Sequence, residues 1–287
     1  MSAAACSSAP WEATATTFLR SIPADFPHST VREIDHRLDQ VRSGQDAEIL
    51  LAVESGSRAW GFASPDSDFD CRFLYVRPVE AYLSLSAPRD VIEVPLDPVF
   101  DINGWDLAKA LKLLLKGNAA VVEWLQSPIV YSGSRAFRED VLAFARSHAD
   151  RDLIARHYLH LGQRQRRLYF RDAAVIPLKK LFYALRPAVT LRWMRINAGA
   201  PLPPMHFPTA VASADLPPEI ADLIADLLAR KADTHEMGST ILPPAVSRFV
   251  DGEFEQASRT LGAWRMRMTE EAEAEADRLF RRWVLAR

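Results

Sequence analysis

Only two cysteines, Cys6 and Cys71, occur in 287 residues. They form no metal-ligand spacing, and Cys71 lies inside an apolar run. Neither a disulfide framework nor a thiolate metal site is expected, and a reducing cytoplasm fits. No apolar stretch reaches the roughly 18 residues of a membrane span; the longest candidate, LAKALKLLLKGN, is broken by lysines. The opening MSAAACSSAPWEATATT lacks the basic segment and apolar core of a secretory leader. Residues 1–24 therefore read as a flexible tail. A basic excess is also missing. Lys plus Arg number 35 against 37 Asp plus Glu, a net charge of −2, which excludes a globally basic nucleic-acid binder but not a local basic face. The phosphate-loop pattern G-x-x-x-x-G-K-[ST] is absent. His235-Glu236 lacks the second histidine of H-E-x-x-H, and no internal repeat is found.

What is present is an ordinary globular composition, 48% hydrophobic and 25% charged, and enough chain for one large or two modest domains. Val31, Ile34, Leu38 and Val41 recur at helical spacing and predict a helix over 29–43, capped by Ser29 or Thr30 and followed by Gly44. Apolar runs at 47–55 and 70–78 predict strands, the second stopped by Pro78. A third strand is expected over 90–97, with Pro95 marking an edge or bulge. Residues 98–104 read as a fourth strand or as the end of the third. From Trp105 the period becomes helical. Leu107, Leu111, Leu114 and Leu115 share a face of a helix ended by Gly117-Asn118, with Asp106 as its cap. A short helix follows in AAVVEWLQSP, and then helices over 135–147, 150–172, 177–197, 217–231 and 253–285. The proline-rich stretch 197–218 reads as a linker. In the last helix Leu261, Trp264, Met268, Ala272, Ala276, Leu279 and Trp283 trace a buried side, opposite the solvated EEAEAEAD. The expected fold class is α+β: a small mixed sheet flanked by helices over residues 25–130, then an all-helical domain over 131–287.

Between the first two strands lies ESGSRAWGFASPDSDFD, Glu54 to Asp70. Asp68 and Asp70 are spaced i, i+2 at a strand entry and so face the same way. Two such carboxylates repel unless cations lie between them, and hard oxygen donors suit Mg²⁺. Gly56-Ser57 follows a strand and precedes a short helical turn. Glycine allows close backbone approach, and free N–H groups with a hydroxyl suit phosphate. Arg58 adds positive charge, or pairs with a neighbouring aspartate. A plain turn with Asx hydrogen bonds is the alternative for the whole stretch. A two-metal site needs a third carboxylate. Asp101, at the end of an apolar run, is the leading candidate; Glu93 and Asp97 are the rivals.

The sequence G-S-R-A-x-G, a short loop, then S-D-x-D resembles the nucleotidyltransferase fold of the DNA polymerase beta superfamily. DINGWDLAKALKLLLKGN…VVEWLQSPIVY and LKKLFYALRPAVTLRWM are similar to one branch, the bacterial predicted nucleotidyltransferases related to an RNA-repair, RNA-ligase-associated group. The resemblance covers roughly residues 45–250. It implies that Gly56 and Ser57 hold an incoming nucleoside triphosphate, that Asp68 and Asp70 bind metal, and that Asp101 is the third carboxylate. It further implies two Mg²⁺ ions, with Mn²⁺ as a substitute, and transfer of a nucleoside monophosphate to a hydroxyl with release of pyrophosphate. The acceptor, an RNA 3′ end, a protein or a small molecule, stays open. The alternative is a non-catalytic, nucleotide-binding or antitoxin-like partner protein.

Other stretches carry two readings each. Lys179, Tyr183 and Arg186 share a helix face in PLKKLFYALRP. With Lys180 they suggest a nucleotide-binding face, against an ordinary solvated one. Arg164, Arg166, Arg167 and Arg171, interleaved with Tyr169 and Phe170, suit an RNA acceptor or a solvated face. His157 and His160, i, i+3, lack an evident third zinc ligand.

Overall fold

A computed structural model describes residues 18–95, 97–170, 175–233, 238–262 and 269–287. Cys6, Trp264, Met268, Arg171 and the His235-Glu236 pair lie outside the described residues. Strands β1 (Glu48–Glu54), β2 (Phe69–Val76), β3 (Val91–Glu93), β4 (Phe100–Asp106) and β5 (Val130–Gly133) form a sheet in the order β3-β4-β2-β1-β5. β2 and β4 are parallel, and the other neighbours antiparallel. Helix α1 (His28–Gly44) covers one face through Val31, Ile34, Leu38 and Val41. The chain then passes through α2 (Gly56–Trp60), α3 (Val79–Tyr82), α4 (Leu107–Leu115), α5 (Ala119–Gln126), α6 (Arg135–His148) and α7 (Arg151–Tyr169). A small ribbon of β6 (Val175–Pro177) and β7 (Ser239–Ile241) brackets α8 (Leu178–Ile196), α9 (Phe207–Ala212) and α10 (Pro218–Asp233). Helices α11 (Pro244–Thr260) and α12 (Glu270–Leu285) complete the chain. Among the described residues no helix is long and apolar enough to cross a membrane.

The mixed sheet followed by helices is the expected α+β class, with local differences. α1 begins after Pro27, with no side-chain cap, so Ser29 and Thr30 lie within the helix. β5 was not expected, because VYSG is too short to show a period; it pairs with the edge of β1. Its other edge is also occupied. Phe18 and Ser21 bridge to Ser134 and Val130, and Leu19 N–H donates to Gly133 O at 2.8 Å. The last residues of the stretch 1–24, expected as tail, are therefore held to the β5 edge by two isolated bridges, since an open strand edge is satisfied by pairing. The single helix expected over 253–285 is two: α11 starts earlier, at Pro244, and ends at Thr260. The proline-rich linker contains α9, whose Pro208 sits in the first turn, where no amide donor is lost.

Alternation along β2 decides where the site lies. Phe69, Cys71, Phe73 and Tyr75 point into the core beneath α1, while Leu74 and Val76 point into the larger core shared with α4 to α8. Asp70 and Arg72 fall on that second face, at the end of β2 where the apolar cover stops. A buried polar knot joins the helices there. Arg186 Nη1 (α8) donates to Glu123 Oε1 (α5) at 2.6 Å, Tyr158 OH (α7) to the same oxygen at 2.7 Å, and Trp60 Nε1 (α2) to Oε2 at 3.0 Å. Burial pushes the Glu123 carboxyl up, but Arg186 with the Tyr158 and Trp60 hydrogen bonds outweighs it and holds the group below its usual range. The Arg186 guanidinium also lies 4.0 Å from the Trp60 ring.

Candidate active site

β1 leads into α2 through Gly56, whose φ is +59°. A Cβ at this position would fall 1.9 Å from Asp70 Oδ2. Only glycine allows both the left-handed backbone and the close approach of the carboxylate. Ser57 is buried, and its hydroxyl donates to Ser67 Oγ at 3.2 Å. Ser67 Oγ in turn meets Ser64 Oγ at 2.9 Å, and Lys231 Nζ from α10 donates to Ser64 Oγ at 3.4 Å. These bonds tie the loop before Asp68 to α2. Arg58 serves the same loop. Its guanidinium donates to Ser67 O and, at 3.2 Å, to Asp68 O, and sits 3.9 Å from the Phe69 ring. Arg58 thus fastens the loop through backbone oxygens and an aromatic face.

Asp70 and Asp101 are register partners on the parallel strands β2 and β4. Arg72 lies between them. Its Nη2 donates to Asp70 Oδ1 at 3.0 Å and to Asp101 Oδ2 at 2.6 Å, and its Nη1 donates to Asp101 O at 2.7 Å. Asn103 Nδ2 donates to Asp101 Oδ1 at 3.3 Å. Burial raises the Asp70 pKa; Asp68 and Asp101 add to the rise, while Arg72 and Lys179 oppose it. Beneath Asp70, the fully buried Glu54 accepts from Asp70 N at 2.9 Å and from Tyr131 OH at 2.5 Å. Burial pushes the Glu54 carboxyl up to about 8 against those two hydrogen bonds. The rival carboxylates are engaged elsewhere. Glu93 pairs with Arg89 at 2.6 Å, and Asp97 accepts from Val99 N at 2.8 Å and from Arg37 at 3.3 Å.

Asp68 is the more exposed member of the set, and Lys179 Nζ of α8 lies 3.9 Å from its Oδ1. Lys180 Nζ is 4.7 Å from the Tyr169 ring and 5.3 Å from Tyr183, and Tyr183 meets Trp60 edge-on at 6.2 Å. The start of α8 therefore brings two lysines and a tyrosine beside Asp68 and α2. Arg186 departs from both expectations for its face. It is neither at a nucleotide face nor solvated, but buried against Glu123. Arg166 is paired with Asp251 at 2.7 Å, which removes it from the basic run, while Arg164 and Arg167 stay exposed. His157 is packed edge-on against Tyr158. Among the described residues, no group of three or more His, Cys, Asp or Glu side chains could hold a metal ion, so the histidine pair gains no third ligand.

A family model described as the RNA repair pathway DNA polymerase beta family matches residues 31–282. The chain belongs to that family. It is also 35% identical over 243 residues to YcgL, an uncharacterized protein of Bacillus subtilis (strain 168), an alignment covering 84% of this chain and 92% of the relative. For this polymerase-beta-like chain a metal fits the donor chemistry: hard carboxylate oxygens on Asp68, Asp70 and Asp101, with Asp70 desolvated beside two like charges. It does not fit the present spacing, because the Arg72 guanidinium lies between Asp70 and Asp101.

Arg72 and Glu54 escaped the sequence reading of this family member. Arg72 carried a signal, since Asp68, Asp70 and Arg72 alternate at period two and so share a face. Glu54 carried a weaker one, a lone acid closing the apolar run EILLAVE. Asn103, two residues after Asp101 on β4, follows the same alternation.

Proposed function

We propose that this member of the polymerase-beta-like family is a divalent-metal-dependent nucleotidyltransferase that uses a nucleoside triphosphate as donor and a hydroxyl as acceptor. The observation that carries the reading is the pairing of Asp70 with Asp101 on adjacent parallel strands, against a glycine at residue 56 that both its own left-handed backbone and the close Asp70 carboxylate require. Once Arg72 Nη2 gives up Asp70 and Asp101, these two and Asp68 would hold the metal, which would supply a Lewis acid for phosphate charge and for the acceptor hydroxyl. Gly56 and Ser57 face the β- and γ-phosphates. Lys179 and Lys180 contribute cationic charge against them, and Tyr183 flanks the base. Arg58 keeps the Ser67–Asp68 loop in place. The acceptor oxygen bonds to the α-phosphorus, the bond to the β-phosphate oxygen breaks, and pyrophosphate leaves. Asp101 takes the hydroxyl proton. An RNA 3′ end is the favoured acceptor, because Arg164 and Arg167 are exposed on α7, the helix whose Tyr169 meets Lys180.

The test is incubation with each labelled nucleoside triphosphate and Mg²⁺ or Mn²⁺, followed by a search for label on RNA, protein and small molecules. Asp70→Asn and Asp101→Asn should each lower transfer by about 100-fold or more with an unchanged circular dichroism spectrum, as loss of transition-state charge stabilisation does. Full activity in both variants would overturn the assignment. A second reading, nucleotide binding without transfer, is favoured by the engagement of Asp70 and Asp101 with Arg72. Binding of a triphosphate with no labelled product from any acceptor would select it.

A further inference from the structure

Arg72 is held at both ends of its fork. Nη1 donates to two backbone oxygens, Asp101 O at 2.7 Å and Cys71 O at 3.2 Å. Nη2 alone serves the carboxylates, Asp70 Oδ1 at 3.0 Å and Asp101 Oδ2 at 2.6 Å. The main-chain bonds anchor the guanidinium whatever the carboxylates do, and the Nη2 contacts are the ones that can be exchanged. Arginine keeps its charge at any working pH, so this is a permanent cation rather than a titrating one. It lies between two side chains that strand register forces together. Without it, three carboxylates would face one lysine, Lys179.

We infer that Arg72 is the resident counter-ion of the site, positioned between Asp70 and Asp101 and competing with a divalent metal for their oxygens. This rests on the metal-site reading above and adds a consequence to it. With the guanidinium in place the carboxylates bind a metal ion weakly by themselves. Tight binding then requires the additional oxygens and charge of a nucleotide's phosphates, so Arg72 couples metal binding to donor binding. Arg72 is a positioning residue here, acting through Asp70 and Asp101.

The competition is measured with metal alone. Free Mn²⁺ is followed by its electron paramagnetic resonance signal in titrations of the wild-type chain, Arg72→Met and Asp70→Asn, with circular dichroism checking the fold. Arg72→Met should bind Mn²⁺ at least about tenfold tighter than wild type, since it removes a competing positive charge at contact distance. Equal or weaker binding by folded Arg72→Met would overturn the proposal, because a merely structural arginine would not strengthen a metal site when removed. A second measurement needs no substitution at Arg72. In wild-type protein carrying ¹⁵N-labelled arginine, saturating Mg²⁺ should shift the Arg72 side-chain resonance, and an unmoved resonance also overturns it. If Asp70→Asn leaves Mn²⁺ affinity unchanged, the metal-site reading itself fails, and the proposal with it.

Discussion

Gly56 shows how much one residue carries at this site. Its φ of +59° and the 1.9 Å approach of Asp70 Oδ2 to a built Cβ are independent reasons for the same residue. Gly56→Ala should lose on the order of 1–3 kcal/mol in urea unfolding, from the backbone strain, and should lower nucleotide transfer further by displacing Asp70. Unchanged stability and transfer would mean that the carboxylate has room to move. Gly56, Asp68 and Asp70 stood out in the sequence as types and spacings, while Asp101 stood beside Glu93 and Asp97 as a candidate. The bonding of Arg58 was not legible. Its partners, the carbonyls of Ser67 and Asp68 and the ring of Phe69, are set by how the loop closes, which no spacing encodes.

Helix α8 holds the same lesson one level up. The i, i+4, i+7 spacing of Lys179, Tyr183 and Arg186 correctly put them on one side of a helix. It could not show that this side runs from the site into the core, where Arg186 meets Glu123. Arg186→Met should therefore cost about 3–5 kcal/mol in unfolding free energy, because it leaves a buried carboxylate without its cation. Combining it with Glu123→Leu should cost less than Arg186→Met alone. A double variant less stable than the single would show that the pair is more than mutual compensation. Helix α7 supplies a pH dependence. Burial holds the His157 imidazole below its usual pKa. The folded state then binds this proton more weakly than the unfolded chain, so stability is lost as pH falls below the usual imidazole pKa of about 6.5 toward the lower folded value. Urea midpoints of the wild type should drop between pH 7 and 5 more than those of His157→Gln; parallel curves would rule out this contribution.

At the scale of the whole molecule, the larger hydrophobic cluster runs without a break from Leu51 and Leu74 in the sheet, through Leu111 and Leu125, to Leu185, Phe254 and Leu279. It crosses the division expected near residue 130. Calorimetry should therefore give one cooperative unfolding transition; two resolved transitions would show that the sheet and the helices unfold separately. The balanced charge hides a local arrangement of the same size. Near-neutral net charge came from adding the acids and bases of the whole chain. The site gathers Asp70 and Asp101 around Arg72, with Lys179 beside Asp68.

The sequence by itself determined the α+β class, the register of α1, the capping of α4 by Asp106, and a glycine-serine turn followed by paired acids. Each of these rests on contacts between residues close in sequence, where periodicity and turn chemistry act directly. Tertiary structure alone decided the rest. The parallel pairing of β2 with β4 set Asp101 beside Asp70, 31 residues away in register, while Glu93 and Asp97 pair with Arg89 and Arg37. The pairing of β5 tied the end of an apparent tail to the sheet edge. The β2–β4 pairing also fixed Arg72 between the two acids, since an arginine's partners depend on which strand comes to lie beside its own.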